Sequence, residues 1–284
     1  MDQPVKFDYS EFVLRSRAYN KKSSLQPQAK SRLGYIYNLV WSKPDPNHWK
    51  YVPKFSASNL PPSVDLSTPK VPVLDQGQIG SCVGNSTAAC LQFVQLKEKY
   101  PWFFLPSRLW IWNQTKLTEG TPLTTDAGIA ISDACATIAT KNVCAEKWYP
   151  YDTVNFGNPI SQLAIQKAAL HTGHAYYALS NDMTSLKSCL AQGYPFVTGI
   201  TVYESFESTE AIRTGNIPMP NVATEKNLGG HAILIVGYDD STSTFKFQNS
   251  WGTYVGKGGY FTIPYAYLSN SSLSGDANTF RMFT

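Results

Sequence analysis

The stretch Val73–Lys97, VLDQGQIGSCVGNSTAACLQFVQLK, decides how this chain reads. Gly77 and Gly80 mark a turn-rich loop, since glycine reaches backbone conformations closed to other residues. After Ser81 the pattern changes to a helical one. Ala89, Phe93 and Leu96 recur at spacings of four and three beside Ala88 and Leu91, while Asn85, Gln92, Gln95, Lys97 and Glu98 fall elsewhere. That predicts a helix burying one stripe, with Cys82 in its first turn. A thiol there faces unpaired backbone N–H groups and the positive end of the helix dipole, so a lowered pKa is expected. Gln76 lies six residues upstream, where its amide can point with the Cys82 N–H at an oxygen on an attacked carbonyl. On this stretch alone a buried, inert Cys82 remains an open alternative.

The chain has 284 residues, with sparse charge (15%) and many aromatics (13%), a composition of folded globules and not of disordered chains. No apolar run approaches the ~18 to 20 residues of a membrane span, and MDQPVKFDYSEF lacks the profile of a secretory signal. The cysteines are Cys82, Cys90, Cys135, Cys144 and Cys189, an odd set without metal-type pairing. Free thiols in a reducing compartment, cytoplasm or virus particle, are the expectation. Residues 1–56 hold ten Lys/Arg against four Asp/Glu in a chain whose net charge is +4, so a basic arm precedes a mildly acidic body. Without an aromatic-interleaved basic motif, the arm is expected to pack on its own chain and not on nucleic acid.

Residues 1–60 therefore read as a separate N-terminal arm ahead of a body at 61–284. Within the arm, 20–32 is polar and loop-like, LGYIYNLVW (33–41) is a short strand or helical turn, and the prolines of 43–55 exclude regular helix. The body begins with helices over 106–117, 126–141, 161–170 and 186–192. It then turns to β-branched and aromatic runs at 195–203, 231–240, 244–251 and 258–265, which read as antiparallel strands. The fold class is α+β: a helical lobe at about 75–190, a β lobe at about 191–270, and a cleft between them.

A cysteine nucleophile needs an imidazole to take its proton, and that ring needs a third group to fix its tautomer. Of four histidines, His48 is in the arm, and His171 and His174 read as residues at a helix end. His231 follows Gly229 and Gly230 and is expected to open an apolar strand, AILIVG. Asn249 comes eighteen residues later in QNSWG, and a hairpin of 231–238 with 244–250 places it beside His231, with Trp251 as a shield. Asparagine as a mere turn residue is the competing reading.

Gln76, Cys82, His231 and Asn249, in that order within QGQIGSC, GGHAILIVGY and NSWG, resemble the papain-like cysteine peptidases. The 149 residues from Cys82 to His231 sit at the edge of that family's spacing. LPPSVDL, YPYD at 149–152, GYPFVTGITVYESF and GKGGYFTIPYAYL resemble its non-secreted bacterial and viral branch. The resemblance implies a two-lobe papain-like fold and cysteine endopeptidase activity on polypeptides, with no cofactor, metal, nucleic acid or membrane involved. It implies Cys82 as nucleophile, His231 as acid and base, Asn249 as the ring's orienter and Gln76 as oxyanion donor. The same resemblance implies Trp251 as the cover over the asparagine, Gly128 as the glycine that holds an extended substrate, and Ile129, Ala130, Gly199 and Gly230 near an acyl-side pocket. Three positions depart from the pattern: Ile79 for a disulfide cysteine, Val83 for an aromatic, and Gly230 for an acidic neighbour of the histidine. The arm reads either as a pro-segment, making the chain a zymogen, or as a permanent strap. A silent peptide-binding protein and an acyl transferase are the alternative functions.

Overall fold

Two cores grow from the two faces of one apolar run, AILIV at 232–236. The computed structural model describes Ser31, residues 33–43, Asp45 and residues 48–282, so most of the basic arm and nearly all of the 20–32 run lie outside the described residues. In chain order the strands are β1 (Ser63–Asp65), β2 (His174–Ala178), β3 (Phe196–Tyr203), β4 (Asn227–Asp239), β5 (Thr244–Gln248), β6 (Tyr260–Pro264) and β7 (Ser274–Met282). The α-helices are α1 (Cys82–Lys97), α2 (Arg108–Thr118), α3 (Ile131–Lys141), α4 (Gln162–Ala168), α5 (Met183–Ala191), α6 (Thr209–Thr214) and α7 (Tyr265–Leu268). The strands form one sheet in the order β2-β7-β3-β4-β5-β6, with β1 added to β4. Every pairing between named strands is antiparallel.

Because successive strand residues point to opposite faces, Ala232, Leu234 and Val236 enter a core shared with α1, α2 and α3. Ile233 and Ile235 enter a second core with Phe196, Phe245, Phe247 and Phe261. This is the α+β arrangement of helices against an antiparallel sheet, and burial on both faces explains why the run does not alternate.

Several expectations need correction. The α1 helix buries every residue from Cys82 to Gln95, not one stripe. It packs against α2 and α3 on one side and β4 and β7 on the other, and its polar residues are largely bonded: Asn85 to Ser81 and Arg108, Gln95 to the Phe104 N–H. The helix expected over 126–141 begins only at Ile131, because residues 128–130 instead form a groove wall. Strand β4 starts at Asn227, so His231 lies inside it and does not open it. His174 opens β2 and is not at a helix end. Strands β1, β2 and β7 and helices α6 and α7 are additional; the polar sequence SGDANTFRM of β7 carries no strand-like alternation. Among the described residues no helix is long and apolar enough to cross a membrane.

Candidate active site

The loop before α1 is fixed from three directions. Gly80 N–H donates to Asp126 (2.8 Å), the Tyr151 hydroxyl donates to the Gln76 carbonyl (2.7 Å) and lies 2.5 Å from Ser81 Oγ. Arg108 sits over the Tyr151 ring at 3.7 Å, bonds the Asp75 carbonyl and is itself held by Glu146. Ser81 is the N-cap residue, so Cys82 opens the helix as expected. The loop is also sewn to the other lobe: Gln76 N–H donates to Ser250 O, and Gly252 N–H to Leu74 O, both at 2.9 Å. The Gln76 side chain accepts from Ser250 Oγ at 2.7 Å and gives one Nε2 hydrogen to Ile79 O at 3.1 Å.

On the β side, the β4–β5 hairpin pairs Leu234 with Gln248 and brings His231 to Asn249. His231 Nε2 lies 2.9 Å from Asn249 Oδ1, which also accepts from the Ser250 N–H at 2.9 Å. An oxygen already accepting there requires Nε2 to carry the proton, so Nδ1 presents a lone pair, and Nδ1 has no hydrogen-bond partner. Trp251 stacks on the ring at 5.6 Å between centroids. The N–H groups of Ala232, the residue after His231, and of Val83 and Cys82 favour the thiolate form of Cys82.

Residues 35–42 run through the groove between these walls. Leu39 N–H donates to Gly230 O (3.0 Å) and Val40 N–H to Ile129 O (3.4 Å), with parallel bridges Asn38 to Gly230 and Val40 to Ala130. The Asn38 amide, its oxygen facing the Gly128 N–H (3.0 Å), donates to Gly80 O at 3.1 Å. Tyr35 stacks on Trp251 at 4.8 Å. Tyr37 sets its ring edge-on to His231 at 5.4 Å and donates its hydroxyl to Glu207. Leu39 and Trp41 lie over Gly199, and Leu39 over Gly230. A Cβ on Gly128 would meet the Asn38 carbonyl oxygen at 1.5 Å, and one on Gly229, at φ +125°, the Tyr37 carbonyl oxygen at 2.2 Å. Thus all six positions named for substrate, Gly128, Ile129, Ala130, Gly199, Gly230 and Trp251, line this groove, and the chain's own segment fills it. The 33–41 stretch is neither strand nor helical turn: residues 33–34 close a tight turn back to Ser31, and residues 35–41 are extended chain with single-residue bridges.

This covering reverses one expectation. Cys82 and His231 are both 0% exposed. Burial pushes the Cys82 thiol up to about 11 despite those N–H groups, so its pKa is raised, not lowered. The same burial pulls His231 down to about 4, with the Asn249 bond opposing. Desolvation disfavours the charged form of each, so near neutral pH both groups are uncharged.

The other histidines stay apart. His48 pairs with Asp45, His171 packs on Phe104, and His174 is buried in β2 with its pKa lowered to about 4 by burial. All five cysteines are free. Among the described residues no group of three or more His, Cys, Asp or Glu could hold a metal. Sequence reasoning missed Tyr151, Arg108, Asp126, Ser250 and Glu207 as positioning residues; YPYD and QNSWG, noted as motifs, contained the signal for two of them.

A family model described as papain family cysteine protease matches residues 60–275. An uncharacterised peptidase C1-like protein of Acanthamoeba polyphaga mimivirus is 34% identical over 211 residues, 72% of this chain and 67% of that protein. The crystal structure of xylellain, a cysteine protease from Xylella fastidiosa, superposes with a TM-score of 0.83 at 35% identity, over 92% of this chain and 100% of that one. Digestive procathepsin L 3 of Tenebrio molitor shares the fold, with a TM-score of 0.64 at 20% identity over 96% of this chain and 79% of that one.

Proposed function

The chain belongs to the papain family of cysteine proteases, and from that premise we propose that it is an endopeptidase acting through Cys82, His231, Asn249 and Gln76, held closed by its own residues 35–42. The single observation carrying the catalytic part is the paired geometry at His231: Nε2 bonded to Asn249 and Nδ1 left as an unpartnered lone pair, on the residue preceding Ala232, whose N–H favours the Cys82 thiolate.

In the open site Cys82 passes its proton to His231 Nδ1, and the sulfur attacks the peptide carbonyl. The carbonyl oxygen becomes an oxyanion facing the Cys82 N–H and the remaining Nε2 hydrogen of Gln76, whose other hydrogen is committed to Ile79. Protonated His231 donates to the leaving amine as the C–N bond breaks. Water then gives a proton to the same nitrogen and attacks the thioester, and the sulfur leaves as the carboxylic acid departs. Asn249 keeps the ring in the tautomer this requires.

In the closed site residues 35–42 occupy the groove on both sides of Cys82 and exclude water. The neutral thiol and imidazole then form a resting pair, and the charged pair forms only when the segment leaves and water or substrate solvates it. Residues 1–60 are accordingly read as a pro-segment and 61–284 as the peptidase body.

The test is cleavage of a fluorogenic peptide by the full-length chain under reducing conditions. Tyr37→Ala, which removes the contact to Glu207, is expected to raise turnover about tenfold or more, and adding Cys82→Ala to abolish it. Equal turnover by the wild type and Tyr37→Ala contradicts the closure; activity surviving Cys82→Ala contradicts the mechanism.

A further inference from the structure

Helix α2 buries a lysine completely. Lys116 is 0% exposed, and its Nζ donates to the Leu123 carbonyl at 2.8 Å and to the Thr125 carbonyl at 3.0 Å. The same nitrogen lies over the Trp112 ring at 3.6 Å and 5.2 Å from the centre of the Phe156 ring. Trp112, one helical turn earlier, gives its Nε1 hydrogen to the Ala127 carbonyl at 2.9 Å. Residues four apart share a helix face, so one face of α2 holds three carbonyls of the 123–127 chain. Burial brings the Lys116 pKa down to about 8 and Asp126 opposes the fall, so at neutral pH the ammonium is charged beside Asp126.

The chain held this way leads directly to the groove. Asp126 accepts the Gly80 N–H at 2.8 Å, from the loop that bears Gln76 and Cys82. Two residues on, the Gly128 N–H meets the Asn38 amide oxygen at 3.0 Å, and the Ile129 carbonyl accepts from the Val40 N–H at 3.4 Å. The wall at 128–130 thus bonds the segment now lying in the groove. Residues 121–129 belong to no helix or strand, and all five cysteines are free, so no disulfide fixes them. Their place is set by the α2 face beneath them.

We propose that Lys116 is a positioning residue for peptide binding: with Trp112 it holds residues 123–127 so that the 128–130 wall stands at bonding distance from the backbone of an extended acyl-side peptide. This rests on the peptidase reading above and deepens it by giving a buried cation a part in substrate recognition. A neutral side chain of similar length leaves the Leu123 and Thr125 carbonyls without their donor and removes the charge next to Asp126, which buried polar groups tolerate poorly. The turn then shifts toward water, and the wall shifts with it. The Cys82 loop keeps its bonds to Tyr151 and Arg108, so the loss falls on substrates that use the wall and largely spares the Cys82–His231 pair.

The experiment uses the full-length chain carrying Tyr37→Ala, with active sites counted by titration with a thiol-directed peptide epoxide. The kcat/KM per titrated site is measured on two substrates with one leaving group: a tripeptide amide that runs along the wall, and a single acylated residue that does not reach it. Lys116→Met is expected to lower the tripeptide-to-single-residue ratio about tenfold or more, mainly through KM, with the single-residue value held within about threefold. Trp112→Phe, which takes away the Nε1 donor and keeps a ring under the ammonium, is expected to lower the ratio about threefold. A merely structural lysine would lower the melting temperature and leave the ratio per site unchanged; that result, or an equal loss on both substrates, overturns the proposal. If Lys116→Met gives no folded chain, Trp112→Phe decides, and an unchanged ratio there overturns it. A parent that cleaves both substrates while the ratio ignores the substitutions refutes this inference alone. A parent that cleaves neither while Cys82 remains alkylable overturns the peptidase reading, and this one with it.

Discussion

The covering segment lies in the groove beside Cys82 and β4 forms one of its walls, and they are held there by different means. Strand β4 is bonded along its length to β3 and β5 and feeds two cores with alternate side chains. Residues 35–42 touch the walls through single-residue bridges, three ring contacts, hydroxyls placed on the Trp251 carbonyl, Glu207 and Asp276, and only two side chains, Leu39 and Tyr37, set into the two cores. A ladder melts only with the fold it belongs to, whereas isolated bridges open on their own. On the proposed function, the difference is between an element built to stay and one that leaves while the body remains intact.

The strongest way to break this comparison is at the chemistry it protects. Cys82→Ala in a Tyr37→Ala background is expected to lower kcat/KM on a fluorogenic peptide by at least about a thousandfold, because removing a nucleophile leaves only binding and oxyanion contributions. Residual turnover within tenfold of the parent would leave no reason for the groove to be covered.

The second test is pH. With its thiol near 11, Cys82 in the closed chain should be alkylated by iodoacetamide about tenfold faster per pH unit from 8 to 10, about a hundredfold in all. The folded form holds this proton more tightly than the unfolded chain, whose thiol titrates near 9. Closed-state stability is therefore full below pH 9 and is lost as pH rises from 9 toward 11. His231 works from the other side: depressed to about 4, it takes stability away as pH falls from 6.5 toward 4. A flat alkylation profile between pH 8 and 10 would mean that the groove is already open.

Hydrogen exchange sharpens the contrast between the two elements. Leu39→Ala removes a buried side chain worth on the order of 2 kcal/mol from the segment, so exchange at the Leu39 and Val40 positions should quicken about thirtyfold while the β4 amides hardly respond. Ile233→Ala, cut into the second core, should instead speed exchange throughout the body and lower its melting temperature. Equal responses to the two substitutions would make the segment part of the same cooperative unit. The smallest effect is expected at Asn249→Ala, about a tenfold drop in kcat in the Tyr37→Ala background, with Cys82 still alkylated.

What the sequence made legible follows the same division. Cys82 and its loop could be read because a glycine-punctuated turn and a helix start are local. Asn249 could be placed beside His231 because a short hairpin fixes register, as the 2.9 Å bond shows. The all-round burial of α1 could not, since Asn85, Gln92 and Gln95 look solvent-facing until Arg108 and Phe104, from outside the helix, bond two of them. Strand β7 was hidden because it buries polar residues, two of them bonded at long range, Thr279 to the Pro195 carbonyl and Ser274 to Thr198. The path of residues 35–42 has no periodicity at all; it is set by the shape of a groove made of residues between 80 and 276. The raised thiol pKa follows from that path, so local helix-start reasoning led to the opposite sign.

The most direct test of the account is the rate at which a thiol-directed peptide epoxide adds to the full-length chain, followed by mass measurement and mapping of the adduct. The account predicts slow addition to the wild type, addition about thirtyfold faster or more to Leu39→Ala, and the adduct on Cys82 in both. Equal rates for the two chains, or an adduct on any of the other four cysteines, would contradict it.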